Sequence, residues 1–256
     1  MSSSELVQGS PAYRSVARSL AERIRSGKMP PGSRVPSERE LAVEYGISRM
    51  TARASVNLLG QRGLIERRGR SGTFVAAPKI ELDLSSVAGL SARLLRQGIT
   101  PGARVMEARE TSAGELDTAV AGALGVADDE PVYGVVRTRT GDGEPLALEE
   151  SYFPAFCCPG LLDNELTGSI YELLRDRYGL EPAHLHQEVE LTQLDSAAAA
   201  KLGARPDVPV LRVTRTAWDT DGKPIEFARD LYRGDRLLFI SETEQVEEKR
   251  RETRKV

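Results

Sequence analysis

The chain has 256 residues, of which 40% are hydrophobic, and a net charge of −3, so it is long enough for one large domain or two modest ones with real cores. It contains no run of 18 apolar residues, and its start lacks the basic-then-apolar order of a signal peptide, so we expect a cytoplasmic protein without a membrane span. The two cysteines are adjacent and no Cys or His cluster has metal-ligand spacing, so no disulfide, metal or cofactor is predicted.

Charge divides the chain into two parts. Residues 1–79 contain 14 Lys+Arg and 6 Asp+Glu, a net charge of +8, which leaves a net charge of −11 for residues 80–256. Such asymmetry predicts a basic module that binds a polyanion, joined to an acidic module with another role. The alternative is a boundary that falls by chance within a surface of mixed charge.

Two helices are predicted before residue 46. Pro11 opens a pattern in which apolar residues recur at spacing four, and this pattern ends near residue 26. Ser37 and Glu40 have the spacing of a capping box, which marks the start of the second helix. Gly46 ends that helix, because glycine readily adopts the left-handed conformation that terminates helices.

A third helix begins at once, with Ser48 as its N-cap, and it carries Arg49 and Arg53 on one face. Cations in the first turn oppose the helix dipole at a cost of about 0.3–1 kcal/mol each, so helix stability does not explain them. In a helix-turn-helix, the start of the second helix meets base edges, where Arg can pair with guanine for about 1–3 kcal/mol of discrimination. We therefore expect both arginines to read DNA.

A β-hairpin with a basic tip is predicted at 64–75. Two short apolar segments flank the turn ERRGRSGT, which contains two glycines and three arginines. Such a tip can contact the phosphate backbone or the minor groove. A solvated surface charge is the alternative for any single arginine, but the helix caps, the helix spacing and the hairpin together favour DNA binding.

The segment from Tyr13 to Val75 resembles the winged-helix domain of GntR-family bacterial repressors. The resemblance rests on PSERELA at 36–42, SRMTAR at 48–53 and GRSGTFV at 69–75. It implies that Arg39, Arg49 and Arg53 read bases or bind adjacent phosphates. It also implies two further groups of DNA-binding residues. The first contacts the DNA backbone and consists of Ser37, Ser48 and Thr51. The second is the hairpin tip in the minor groove, with Gly69, Arg70 and Gly72.

A repeat characterises the second part of the chain. Eight of the sixteen positions in 123–138 are identical in 201–216. In each copy a helix-like stretch leads into a strand, a turn with Asp-Gly, a proline and a second strand. Two copies of a helix and a β-hairpin predict a pseudo-symmetric α+β domain around one mainly antiparallel sheet.

The predicted domain boundaries follow from composition. Small residues and a proline without helix caps mark a linker that can contain extended structure, and a final segment dominated by charge is expected to be frayed or disordered. The predicted divisions are a flexible N-terminus at 1–10, a winged helix-turn-helix at 11–76, a linker at 77–84, a second domain at 85–241 and a charged tail at 242–256.

Polar side chains in the repeat suggest a binding site. Arg137 and Arg139 alternate along a predicted strand, so both side chains leave the same face. Glu149 lies on the returning strand of the first predicted hairpin. In the second copy, Glu226 lies on the returning strand and Tyr232 lies at its exit. Paired arginines suit a phosphate or carboxylate, whereas Glu and Tyr can orient hydroxyl or amino groups. The alternative is a cross-strand Arg–Glu ladder exposed to water.

A helix is predicted from residues 89–91 to Gly98. Its N-terminus presents free backbone N–H groups and the hydroxyl of Ser91, which suits an anion, whereas the alternative is a plain Ser-capped helix. His184 and His186 have no carboxylate and nucleophile at recognisable spacing, so we interpret them as structural and predict no catalytic residues.

Residues 85–241 resemble the effector-binding UTRA domain of the HutC subfamily, whose fold is similar to that of chorismate lyase. The resemblance rests on RTR at 137–139, DGEP at 142–145, GSIY at 168–171 and PIE at 224–226. By analogy with members that bind amino-sugar phosphates, it implies two groups of effector-binding residues. These are Leu90, Ser91, Arg137, Arg139 and Ser169 around the phosphate, and Glu149, Glu226 and Tyr232 around the sugar.

We therefore interpret the chain as a homodimeric transcription regulator, usually a repressor in this family, that binds a palindromic operator on double-stranded DNA. A small anionic effector would bind the second domain, with glucosamine 6-phosphate or N-acetylglucosamine 6-phosphate as the first choice. Another sugar phosphate, a carboxylate or a phosphonate stays open, because an arginine pair accepts any of these anions. Two other classes are an enzyme of chorismate-lyase-like fold, which lacks visible catalytic groups, and a nonspecific DNA-architectural protein.

Overall fold

The computed structural model describes residues 11–206 and 208–242. The predicted flexible N-terminus at 1–10, the tail beyond residue 242, Asp207 of the repeat and the side chain of Arg70 lie outside the described residues. The chain divides into two compact units between Lys79 and Ile80, and each has its own core. In the described part of the chain, no helix is both long and apolar enough to cross a membrane.

The first unit consists of three helices and a two-stranded antiparallel hairpin. Its elements are α1 (Ala12–Arg25), α2 (Glu38–Tyr45), α3 (Arg49–Gln61), β1 (Ile65–Arg67) and β2 (Thr73–Val75). Apolar side chains from all three helices meet in one core, where Leu20, Leu41 and Leu59 are fully buried. Burial of each of these leucines contributes about 1.5–3 kcal/mol relative to exposure.

The predicted helix ends of this unit are confirmed. The Ser37 Oγ accepts the Glu40 N–H at 3.2 Å, and the Glu40 Oε2 accepts the Ser37 N–H at 2.7 Å, which is the reciprocal capping box. Gly46 ends α2 with a φ of +62°, in the left-handed region that glycine adopts without strain. Ser48 then caps α3 through the Thr51 N–H.

The second unit is built on a six-stranded antiparallel sheet. Its strands are β4 (Pro101–Ser112), β5 (Pro131–Gly141), β6 (Glu144–Pro154), β7 (His184–Gln193), β8 (Pro209–Trp218) and β9 (Pro224–Arg233). Their order across the sheet is β4-β5-β6-β9-β8-β7, so the two copies of the repeat meet at its centre. The helices are α4 (Leu90–Arg96), α5 (Thr118–Leu124), α6 (Ile170–Tyr178) and α7 (Ser196–Leu202). This arrangement confirms the predicted pseudo-symmetric α+β domain.

The helices divide between the two faces of the sheet. Along β6, Ala147 and Phe153 point to one face, where they pack with α4 and α6 respectively. Leu148 and Tyr152 point to the other face, where they pack with α7 and α5. The alternation of side chains along a strand therefore gives each face its own pair of helices, one from each copy. The face covered by α4 and α6 holds the predicted effector residues.

The predicted linker at 77–84 is too long. Ile80–Asp83 forms a strand, β3, which pairs in parallel with β10 (Leu237–Ile240) in the second unit. Leu82 is fully buried and Leu237 nearly so, in the same core as α4. The apolar positions of this segment are therefore part of the second unit, because they have a partner strand that composition alone does not show.

Candidate DNA-binding and effector-binding sites

A groove of about 460 Å³ lies in the first unit between the start of α2, helix α3 and the β1–β2 hairpin. It is lined by five of the predicted DNA-binding residues, which are Ser37, Arg39, Arg49, Arg53 and Gly72. The three arginines are exposed, and none forms a salt bridge within residues 11–206 and 208–242. A concave surface with several unpaired cations suits a polyanion such as DNA.

Three of the other predicted DNA-binding residues, Ser48, Thr51 and Gly69, lie outside the lining of this groove. The Ser48 and Thr51 hydroxyls are 2.8 Å apart at the start of α3, where they stabilise the helix end. Their contact with the DNA backbone stays a prediction. Gly69 begins a 3₁₀ turn at the hairpin tip with a φ of +51°, and the side chain of Arg70 is not described.

Two groove arginines were not singled out by the sequence motifs. Arg67 of β1 donates to the Asn57 Oδ1 of α3 at 2.7 Å, and Arg34 comes from the loop that precedes α2. At the hairpin tip, Arg68 pairs with Glu66 at 2.6 Å and lies 4.8 Å from the centre of the Phe74 ring. Arg67 and Arg68 of the hairpin therefore have different surroundings, and of these two only Arg67 lines the groove.

A cavity of about 40 Å³ lies in the second unit, between the starts of α4 and α6 and the sheet face that these helices cover. All eight predicted effector-binding residues line it, namely Leu90, Ser91, Arg137, Arg139, Glu149, Ser169, Glu226 and Tyr232. Such a volume holds a few water molecules rather than a sugar phosphate. Binding of a ligand of that size therefore requires the surrounding segments to move.

The centre of this cavity is a buried cluster of two arginines and one carboxylate. Arg137 Nη2 lies 2.8 Å from Glu149 Oε2, and Arg139 Nη1 lies 3.0 and 2.9 Å from the two Glu149 oxygens. These three side chains are 4–7% exposed, so the alternative of a ladder exposed to water is wrong. Although burial raises the pKa of Glu149, the charges of Arg139 and Arg137 outweigh it and lower that pKa to about 2.

The same arginines connect the sheet to both helix starts. Arg139 donates to the Ser91 Oγ at 2.6 Å, and Arg137 donates to the carbonyl groups of Leu166 and Gly168, each at 2.9 Å. The N-cap of α4 is Gly89, and no side chain caps this helix, so the alternative of a Ser-capped helix is wrong. The Ser91 hydroxyl instead faces Arg139 on the sheet. Ser169, in contrast, caps α6 by accepting the Glu172 N–H at 3.3 Å.

A second charged cluster lies beside the first, and it joins the predicted Glu226 and Tyr232 to three residues that sequence reasoning missed, Arg215, Asp230 and Tyr171. Arg215 Nη1 lies 3.0 Å from Asp230 Oδ2, and its Nε lies 3.3 Å from Glu226 Oε2. Tyr171 donates its hydroxyl to Glu226 at 2.6 Å, and Tyr232 donates to Asp230 at 3.2 Å. The repeat offered one signal, because Arg215 occupies the position that corresponds to Arg137 in the first copy.

Asp230 makes the stability of the second unit dependent on pH. Burial, followed by the charges of Glu149 and Glu226, raises its pKa to about 7 despite the opposing charge of Arg215. Because this pKa is higher in the folded than in the unfolded chain, folding takes up a proton at pH values between the unfolded and the folded pKa. We expect the free energy of unfolding to fall by about 2 kcal/mol between pH 5 and pH 7 on this account.

Thermal unfolding of wild type and Asp230→Asn between pH 5 and pH 8 measures this contribution. The difference between the two proteins reports Asp230 together with its electrostatic coupling to Glu149 and Glu226, since all other titrating groups are shared. We expect wild type to lose stability relative to the variant as the pH rises through 7, with the loss levelling off near pH 8. A constant difference over this range would contradict the raised pKa of Asp230.

The histidines and cysteines of the described residues do not line either of these two sites. His184 and His186 lie on the exposed edge strand β7, and the His184 ring is 5.3 Å from the Trp218 ring. Cys157 and Cys158 are free thiols. Across residues 11–206 and 208–242, no group of three or more His, Cys, Asp or Glu side chains is arranged to hold a metal ion.

Comparison with protein families agrees with this architecture. The family model "Bacterial regulatory proteins, gntR family" matches residues 12–75, and the "UTRA domain" model matches residues 96–237, which is more than half of the chain. The two matches fall on either side of the division between the units, so each unit corresponds to one recognised domain.

Individual relatives extend over nearly the whole chain. The HTH-type transcriptional repressor NagR of Bacillus subtilis is 32% identical over 231 residues, which cover 90% of this chain and 93% of NagR. The HTH-type transcriptional repressor PhnF of Mycolicibacterium smegmatis is 34% identical over 227 residues, or 88% of this chain and 90% of PhnF. A crystal structure of PhnF from Mycobacterium smegmatis superposes with a TM-score of 0.64 at 32% identity, covering 89% of this chain and 99% of that structure.

These relatives are transcription regulators, which confirms the prediction that the chain is not an enzyme. The chain belongs to the GntR family of bacterial regulators, as a HutC-type, DNA-binding transcription regulator that joins a winged helix-turn-helix to a UTRA domain.

Proposed function

We propose that the chain is a repressor that is released from its operator when a small anionic effector binds the second unit. The observation that carries this proposal is the buried pair Arg137 and Arg139, whose two positive charges share one carboxylate, Glu149. A guanidinium pair with a net positive charge in a cavity suits a phosphate, which forms bidentate, charge-assisted hydrogen bonds with arginine. The names of NagR and PhnF, both repressors, support the direction of regulation.

An amino-sugar phosphate, such as glucosamine 6-phosphate or N-acetylglucosamine 6-phosphate, is the proposed effector. Its phosphate would bind Arg137, Arg139, Ser91 and Ser169, together with the start of α4 at Leu90. Glu149, Glu226 and Tyr232 would hold sugar hydroxyl or amino groups, since all three are buried at the cavity and can accept hydrogen bonds. Another sugar phosphate, a carboxylate or a phosphonate satisfies the same arginine pair and is the second choice.

Effector binding would act through the tie between the arginines and the helix starts. An anion at Arg139 competes with Ser91 of α4, and an anion at Arg137 competes with the carbonyl groups of Leu166 and Gly168 before α6. Helix α4 follows β3, which is the first element of the second unit. A ligand can shift the equilibrium only by its differential affinity for two conformations, so we infer that the arrangement of α4 differs between the DNA-bound and effector-bound states.

We propose further that the functional form is a homodimer in the cytoplasm that binds a palindromic operator. The sheet ends in two edge strands, β4 and β7, whose outer hydrogen-bonding edges have no partner strand in the described part of the chain. Exposed apolar side chains lie on them, including Met106, Val189 and Leu191, the last 74% exposed. Coverage by a second copy would bury this surface, and a two-fold dimer presents two heads to two half-sites.

A gel shift at fixed salt tests the proposed function. A selected operator site is titrated with the protein alone and with a panel of sugar phosphates, phosphonates and acidic metabolites. We expect one anion to raise the apparent Kd for the operator by about 5- to 150-fold, as expected for a coupling free energy of about 1–3 kcal/mol. Specific DNA binding that no anion alters would reject the sensor, and binding without sequence preference would favour the architectural alternative.

A further inference from the structure

The groove of the first unit holds more positive charge than the family motifs account for. Among the residues that the structure describes, five arginines line it and Glu38 is the one carboxylate. Arg39, Arg49 and Arg53 belong to the motifs described above, and Arg67 is hydrogen-bonded to Asn57. Arg34 is the remaining arginine, and its position has no explanation in the fold.

The backbone of Arg34 is fixed to the hairpin. It forms an antiparallel bridge with Phe74, so the loop before α2 acts as a short third strand beside β2. The neighbouring hydrogen bonds support it, because Val35 donates to the Thr73 carbonyl at 2.8 Å and Val75 donates to the Ser33 carbonyl at 2.8 Å. Arg34 therefore stands on a rigid element at the junction between hairpin and helices rather than on a free loop.

The guanidinium of Arg34 lies against the hairpin tip. A Cβ at Gly72 would lie 3.4 Å from the Arg34 Nε, so this glycine leaves room for the side chain. Arg34 is exposed and forms no salt bridge within the described ranges, whereas the nearby Glu40 accepts the Ser37 N–H in the capping box. Neighbouring cations repel one another, and an anion placed among them would relieve that repulsion.

We propose that Arg34 binds the DNA phosphate that lies between the major groove read by α3 and the minor groove entered by the hairpin tip. The position fits, because Arg34 lies between these two elements and the phosphate backbone separates the two grooves of the duplex. The chemistry fits as well, because a guanidinium forms bidentate hydrogen bonds with phosphate. The inference rests on DNA binding by the first unit and adds a contact that fixes the hairpin relative to the recognition helix.

The test is the Arg34→Gln variant of the full chain, measured by fluorescence anisotropy on a selected operator and on unrelated DNA between 50 and 200 mM salt. We expect about tenfold weaker binding to both DNAs and a log–log salt slope reduced by about 0.9 for each bound head, because one phosphate contact is lost. Arg34→Lys keeps the charge and is expected to retain the slope. Arg62→Gln, at the exposed end of α3 outside the groove, is the control with the same charge change.

The outcomes separate this inference from the function on which it rests. Equal affinity and equal salt slope for Arg34→Gln and Arg62→Gln would overturn the Arg34 contact alone. A loss confined to the operator, without change on unrelated DNA, would also overturn it, because a phosphate contact carries no sequence information. Failure of the unmodified chain to bind any DNA would overturn the DNA-binding function itself.

Discussion

Arg137→Ala should abolish the effector response while leaving operator binding in the absence of effector within twofold of wild type. The variant removes one of the two guanidinium groups that face Glu149. Loss of charge-assisted hydrogen bonds to a phosphate costs about 3 kcal/mol, which corresponds to an effector affinity about 100-fold weaker. Arg137 lies in the second unit, so the DNA-binding groove keeps all of its own residues.

The measurement is calorimetric titration with the effector found in the gel-shift panel, together with the gel shift itself. Arg212→Ala is the matched control, because Arg212 lies on β8, is about half exposed and pairs with Glu190. We expect Arg212→Ala to respond as wild type does. Retention of a normal effector response by Arg137→Ala would contradict the assignment of the phosphate to this cluster.

Arg137 also has a structural role that this experiment must separate. Its guanidinium satisfies the carbonyl groups of Leu166 and Gly168, and it partners a buried carboxylate, so the alanine variant leaves buried polar groups without partners. Arg137→Lys retains the positive charge but loses the bidentate geometry. A melting temperature near that of wild type combined with a lost response would assign the effect to ligand binding in either variant.

The local features of both units could be predicted from the sequence because they depend on residues close in the chain. The capping box joins Ser37 and Glu40, which are three positions apart, and Arg137 and Arg139, which leave the same face of a strand, are two positions apart. The internal repeat adds the order of helices and strands. Together these patterns predicted an α+β domain around an antiparallel sheet. The full set of eight effector residues, all of which line one cavity, was implied by the resemblance to the UTRA domain.

The features that were missed depend on pairing between distant segments. Arg215, Asp230 and Glu226 form a cluster because β8 pairs with β9, and it lies next to the Arg137 cluster because β9 pairs with β6. The repeat relates the two copies but does not show which strands meet at the centre of the sheet. The strand at Ile80–Asp83 was predicted as a linker for the same reason, since its partner β10 lies at the other end of the unit.

Arg53→Ala should weaken binding to the operator by about 10- to 100-fold per half-site, with a much smaller loss on unrelated DNA. Arg53 is exposed on α3, one helical turn after Arg49, and both side chains line the groove without a carboxylate partner in the described residues. A guanidinium that pairs with a guanine edge contributes about 1–3 kcal/mol of discrimination, which the variant would lose. Arg49→Ala is expected to behave in the same way.

Specificity ratios distinguish this role from that of Arg34. Anisotropy titrations at one salt concentration give, for each variant, the ratio of operator affinity to affinity for unrelated DNA. Arg62→Ala, at the exposed C-cap of the same helix, is the control. Loss of a base contact lowers that ratio, whereas loss of a phosphate contact leaves the ratio unchanged and lowers both affinities. An unchanged ratio in Arg53→Ala would move Arg53 from base reading to phosphate binding, and the specificity of the groove would then have to come from other side chains of α3.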